Sequence, residues 1–170
     1  MFSIGHSTRS FEEFVGLLRT WHVEVLADVR TVPRSRRNPQ FNGDALAVSL
    51  PADGIAYVAM PALGGWRRPL PDSRNTGWRL ASFRGYADYM QTDAFRAALA
   101  GLMARAAGAD LAFMCAEAVP WRCHRSLIAD ALVARGCDVR DIISATKADA
   151  HRMTPFARVD GDRVAYPAPE

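Results

Sequence analysis

Leu111-Ala-Phe-Met-Cys-Ala-Glu-Ala-Val-Pro-Trp-Arg-Cys-His-Arg125 decides the fold. A short apolar run, Leu111–Ala116, reads as a buried strand. A tight proline-containing loop follows, and a helix is expected over Cys123–Arg135, with Leu127, Ile128, Ala131 and Leu132 turned inward and Gly136 as its C-cap. Cys115, Glu117, Arg122, Cys123, His124 and Arg125 thus crowd one strand-to-helix turn, where α/β proteins commonly place ligands.

The same strand–helix alternation extends in both directions. Phe2–Gly5 reads as a first strand ending in Gly-His-Ser. Ser10 and Glu13 make a capping box for a helix whose apolar positions are Phe11, Phe14, Val15, Leu18 and Trp21. Val23–Val29 and Ile55–Val58 read as further strands, with a short helix over Asp44–Leu50. The segment Met60–Leu80 is irregular, and helices are expected over Phe83–Met90 and Thr92–Ala106. Val139–Ile143 reads as a fifth strand, and the tail from Thr154 to Pro169 suits a hairpin around Asp160-Gly-Asp. The expected fold is a single α/β domain over 1–170, with a mainly parallel sheet of about five strands and helices on both faces.

Composition narrows the function classes. A chain of 170 residues, 49% of them hydrophobic, can bury a real core. No apolar run reaches the ~18 residues of a membrane span, and the polar N-terminus does not read as a signal peptide, so a cytoplasmic protein with no membrane partner is expected. Three cysteines are an odd number, which argues against a disulfide framework. Lys147 is the one lysine, so nearly all positive charge is arginine. Guanidinium suits bidentate contacts to phosphate or carboxylate, although codon usage also enriches arginine.

Right-handed crossovers bring the C-terminal ends of parallel strands to one edge of the sheet. That edge would collect His6 and Ser7, Asp28 and Arg30, the loop Pro61–Arg68, and Cys115 and Glu117. His6 could move a proton, or its ring could bond a backbone carbonyl. Asp28 and Arg30 share one side of their strand and read equally as a structural ion pair that orients the loop and as a functional pair, with Asp28 acting as a base or positioning a sugar hydroxyl and Arg30 holding phosphate. Arg34, within a proline-bounded arginine loop, is either part of a phosphate clamp or of a solvated face. Gly64 and Gly65 let backbone approach a ligand, Trp66 could stack on a base, and Arg67 could hold phosphate. Cys115 reads as a core thiol or a nucleophile. Cys123, at a helix start beside His124 and Arg125, is the better nucleophile on sequence grounds. Glu117 reads as an acid/base or as the ion-pair partner of Arg122 or Arg125. The cysteines and histidines lack zinc-ligand spacing, so no metal and no cofactor are expected.

Several blocks resemble the family called domain of unknown function 488: Ile4-Gly5-His6-Ser7, Asp28-Val29-Arg30 with Pro33-Arg34-Ser35, Leu63-Gly64-Gly65, Phe83–Met90, Met114-Cys115-Ala116-Glu117 with Cys123-His124-Arg125, and Thr154–Val159. The resemblance spans nearly the whole chain and implies a compact α/β domain, with no particular reaction. Asp28-Val-Arg also resembles a turn of rhodanese domains. Cys115 and Arg122 are spaced one residue too far apart for a cysteine-phosphatase cradle.

The residues support an enzyme acting on a phosphorylated nucleotide or nucleic acid. Arg30, Arg34, Arg67, Arg122, His124 and Arg125, with Ser7, Gly64 and Gly65, would bind it, and Glu117, His6, Asp28, Cys123 and Cys115 would do chemistry. A nucleic-acid-binding module without chemistry is the main alternative. A cysteine-dependent phosphatase or sulfurtransferase and a small-molecule sensor are the others.

Overall fold

In a computed structural model, residues 1–168 are described; Pro169, the end of the expected hairpin tail, lies outside them. Strand β1 (Phe2–Gly5) leads into helix α1 (Phe11–Thr20). The capping box forms: Ser10 Oγ accepts the Glu13 N–H at 3.1 Å, and Glu13 Oε2 accepts the Ser10 N–H at 2.9 Å. Val23 N–H still bonds Leu18 carbonyl at 2.9 Å, finishing the helix end. That engagement delays β2 to Val25–Asp28, two residues later than expected.

Helix α2 (Gly43–Ala52) and strand β3 (Ala56–Ala59) follow, then α3 (Ala81–Tyr89) and α4 (Asp93–Ala106), the latter capped by Thr92. Strand β4 (Leu111–Cys115) is buried along its whole length. Helix α5 (Arg125–Val133) starts later than the expected Cys123, because Pro120–Arg122 make a 3-10 turn and Cys123 is extended. Strand β5 (Arg140–Ser144) is followed by β6 (Lys147–Ala150), and the tail hairpin is β7 (Arg158–Asp160) with β8 (Arg163–Ala165).

The six strands lie in the order β3-β2-β4-β1-β5-β6, parallel except for β6. Helices cover both faces. Phe14, Val15, Leu18, Leu46 and Leu50 of α1 and α2 pack on Ile4, Leu26, Ala112 and Met114. Residues of α3, α4 and α5, among them Tyr86, Phe95, Leu99 and Leu127, pack on Ala27 and Phe113 from the other side. Neighbouring strands β1 and β4 therefore send their connections to opposite faces, and a crevice opens between them. Gly5 pairs with Cys115 at this edge, and Asp28 pairs with Met114.

The long segment before α3 is pinned rather than loose. Asp88 accepts from Leu70 N–H at 2.9 Å, Ser73 Oγ at 2.7 Å and Asn75 Nδ2 at 2.8 Å. Tyr86 and Tyr89 hydroxyls bond the carbonyls of Leu63 and Ala62 at 2.8 and 2.7 Å.

Candidate active site

Asp28 sits at the last position of β2, and its carboxylate is fully engaged. Arg30 Nε donates to Asp28 Oδ1 at 2.8 Å and Nη2 to Oδ2 at 2.6 Å, a bidentate pair. The Arg30 N–H and the Tyr57 hydroxyl bind the same carboxylate at 3.1 and 2.8 Å. Arg30 Nη2 also bonds the Phe41 carbonyl at 2.7 Å. Asp28 is 1% exposed and does not reach the crevice, so it acts as a brace for Arg30. Arg30 does reach it.

His6 follows β1. Its Nδ1 lies 2.8 Å from the Ser7 carbonyl, which accepts the ring proton, and Arg30 Nη1 approaches Nε2 at 3.3 Å. The ring stacks on Phe41 with centroids 4.3 Å apart. Burial, with the Arg30 charge adding to it, holds the His6 pKa down at about 4, so the imidazole is neutral at physiological pH. Ser7 has φ of 51°, an unusual value for a residue with a side chain, and its N–H bonds Ala116 carbonyl at 3.0 Å. The loops after β1 and β4 are thereby stitched together.

His124 precedes α5. Its Nε2 lies 2.9 Å from the Val29 carbonyl, which accepts that proton, leaving Nδ1 as an acceptor 3.4 Å from Cys123 Sγ. Burial, reinforced by Arg125 and Arg67, holds this imidazole down at about 4 as well. Gly65 packs on this ring: a Cβ there would lie 2.6 Å from Nδ1.

Together these loops enclose a cavity of about 650 Å³. Its wall includes His6, Ser7, Arg30, Arg34, Gly65, Cys115, Glu117, Arg122, Cys123 and His124. Four expected site residues stand back from it. Asp28 braces Arg30, Gly64 packs against Thr31, and Arg67 bonds the carbonyls of Gly64 and Ala62 while lying 3.6 Å over the Tyr89 ring. Arg125 is buried behind Cys115.

Glu117 is exposed and is the single carboxylate among the described residues lining the cavity. It makes no ion pair with Arg122 or Arg125; Arg125 takes only its main-chain carbonyl, at 3.2 Å. Ser35 and Asn38 also line the cavity, beside Arg34, and Phe41 fixes His6. Ser35 belongs to the Pro33-Arg34-Ser35 block noted in the sequence, whereas Asn38 and Phe41 carry no local signal beyond their place in the arginine loop. Among the described residues, no three His, Cys, Asp or Glu side chains gather as a metal site requires. No helix among them is long and apolar enough to cross a membrane.

Fold and cavity define an α/β domain with a cationic crevice at the C-terminal edge of a mostly parallel sheet. The chain belongs to the family described as Domain of unknown function DUF488, whose model matches residues 10–132. That match covers both carboxylates, Arg30, Arg34 and the whole turn from Cys115 to Arg125. No curated protein and no solved structure matches the chain.

Proposed function

We propose that the protein is an enzyme acting on a phosphorylated nucleotide or nucleic acid held in the crevice at the C-terminal edge of the sheet. The observation that carries this reading is the charge of the cavity wall: the guanidinium groups of Arg34 and Arg122, unpaired among the described residues, beside an Arg30 balanced by Asp28, against one carboxylate, Glu117. Both imidazoles on the wall are neutral, so they add hydrogen-bonding capacity without adding charge. Arg30 is locked by its bidentate brace, and an anion meeting it needs little reorganisation of the site. Trp66, 79% exposed on the rim, offers a face for a base.

Glu117 is the acid/base group of this reading, without an ion-pair partner among the described residues and on the wall of the cavity that would hold the ligand. Glu117→Gln is expected to abolish turnover of the substrate while its affinity stays within about threefold. Turnover that survives the substitution would remove that role. The substrate class is tested by anisotropy of labelled single-stranded and duplex DNA and RNA at two salt concentrations. Binding that weakens steeply with salt, and weakens further in Arg34→Gln and Arg122→Gln, supports a nucleic-acid substrate. Absence of binding to all four at low salt restricts the reading to mononucleotides.

One observation favours a binding module without chemistry. Trp66 and Trp121 are 79% and 71% exposed beside the arginine-bearing loops, as stacking platforms on a single strand would be. Under that reading binding weakens steeply with salt and Glu117→Gln changes it little.

A further inference from the structure

Arg125 opens α5 and is 1% exposed. Its Nη1 donates to Cys115 Sγ and to the Glu117 carbonyl, both at 3.2 Å, and its Nη2 reaches the Ala118 carbonyl at 3.4 Å. Its Nε is buried with no hydrogen-bond partner. Among the described residues no carboxylate pairs with it, in contrast to Arg30, whose charge is balanced by Asp28. A guanidinium does not shed its proton, and an unbalanced charge in a protein interior is strongly unfavourable. Two carbonyl oxygens lessen that cost without neutralising the charge. Cys115 is the group in contact with the guanidinium that becomes an anion by losing a proton.

We propose that Cys115 stands as a resident thiolate paired with Arg125, and that it is the nucleophile that takes a group from the anionic substrate in the cavity. The thiolate assignment stands on the Arg125 geometry alone; only the identity of the substrate rests on the anion-site reading above. In the step, a sulfur lone pair forms a bond to the electrophilic atom of the substrate. The bond from that atom to the leaving group breaks, its electron pair departs with the leaving group, and the leaving group takes a proton from Glu117, which recovers one from the water or second substrate that later accepts the group. Transfer of the group from sulfur to water or to a second substrate restores the thiolate.

The neighbouring thiol has the opposite role. Cys123 Sγ has an acceptor for its proton in His124 Nδ1, 3.4 Å away, and itself accepts the Arg125 N–H at 3.5 Å. Hydrogen bonding to Cys115, together with burial, pushes the Cys123 thiol well above its usual range. At Cys115, burial opposes ionisation, yet the Cys123 thiol and the Arg125 charge outweigh it and lower the pKa. Cys123 is thus a protonated donor that steadies the Cys115 anion, the reverse of the ranking that the sequence suggests.

The test uses the intact protein and two probes. The first is the far-ultraviolet absorbance of thiolate across a pH series, which does not require access to the sulfur. One thiolate is expected to persist well below the free-thiol pKa of about 8.5, and Cys115→Ser is expected to remove it while Cys123→Ser and Cys137→Ser retain one. The second is alkylation by iodoacetamide, mapped by mass spectrometry, with the early label expected on Cys115 and a rate that levels off at the same low pH. A thiolate that forms only near the free-thiol range, or a label that enters Cys123 first, overturns the proposal. Repeating the alkylation with iodoacetate separates the two readings: the anionic reagent is expected to gain relative to iodoacetamide, compared with the same pair on free cysteine. A loss instead contradicts the anion site and leaves the thiolate assignment to the absorbance result.

Discussion

The Asp28–Arg30 pair shows how a single residue can matter to the site without facing it. Asp28 receives four hydrogen bonds, from Arg30 and Tyr57, and places one guanidinium against the cavity. Asp28→Asn leaves Arg30 buried without its counter-charge and is expected to cost about 3–5 kcal/mol in urea unfolding. Tyr57→Phe removes one neutral donor from the same carboxylate and is expected to cost about 1 kcal/mol. Equal losses in the two variants would contradict the brace. The spacing of Asp28 and Arg30 made their pairing readable, because residues two apart share a strand face. The pairing of Arg125 with Cys115 was not readable. It joins a helix start to a strand end across ten positions, and it depends on burial that no local pattern reports.

At the scale of elements, the apolar spacing and the caps located the five α-helices of the described residues, though not the short 3-10 turns, and the five parallel strands were found to within two residues. β6 was missed because Lys147-Ala-Asp-Ala150 has no β-branched or aromatic residue and is largely exposed. It is an edge strand, held by antiparallel pairing with β5 after a tight turn. The reach of the β4–α5 loop was equally hidden. It passes directly over Gly5, where a Cβ would fall 1.9 Å from the Glu117 carbonyl oxygen. Gly5→Ala is therefore expected to push the Glu117 segment outward, at a cost of about 1–3 kcal/mol, and to weaken ligand binding together with stability. An alanine variant with unchanged thermal stability would contradict this close approach.

For the whole molecule, buried histidines set the pH range of stability. His6 and His124 have folded pKa values near 4, below the unfolded value of about 6.5. Their neutral forms suit the fold, so stability falls as pH drops from about 6.5 towards 4. His151 has the opposite sense: burial pulls it down, but Asp130 at 2.8 Å and Asp141 at 3.3 Å outweigh that and raise it to about 9. Its contribution is complete below about 6.5 and is lost as pH rises through 9. The stability difference in urea between the protein and His151→Ala should be greatest below about pH 6.5 and shrink by about 3 kcal/mol as pH rises through 9. A difference that holds steady from pH 6.5 to 9 would contradict the assignment.

The site belongs to the same scale, since its wall draws on loops from four strands and no single segment contains it. The claim that this wall is built for an anion is tested most directly by calorimetric titration of the protein with a nucleoside and its mono-, di- and triphosphate at low and moderate salt. The predicted result is affinity that climbs with each phosphate, falls with salt, and drops at least about tenfold in Arg34→Gln combined with Arg122→Gln. Affinity independent of phosphate number, or unaffected by loss of the two arginines, would contradict it.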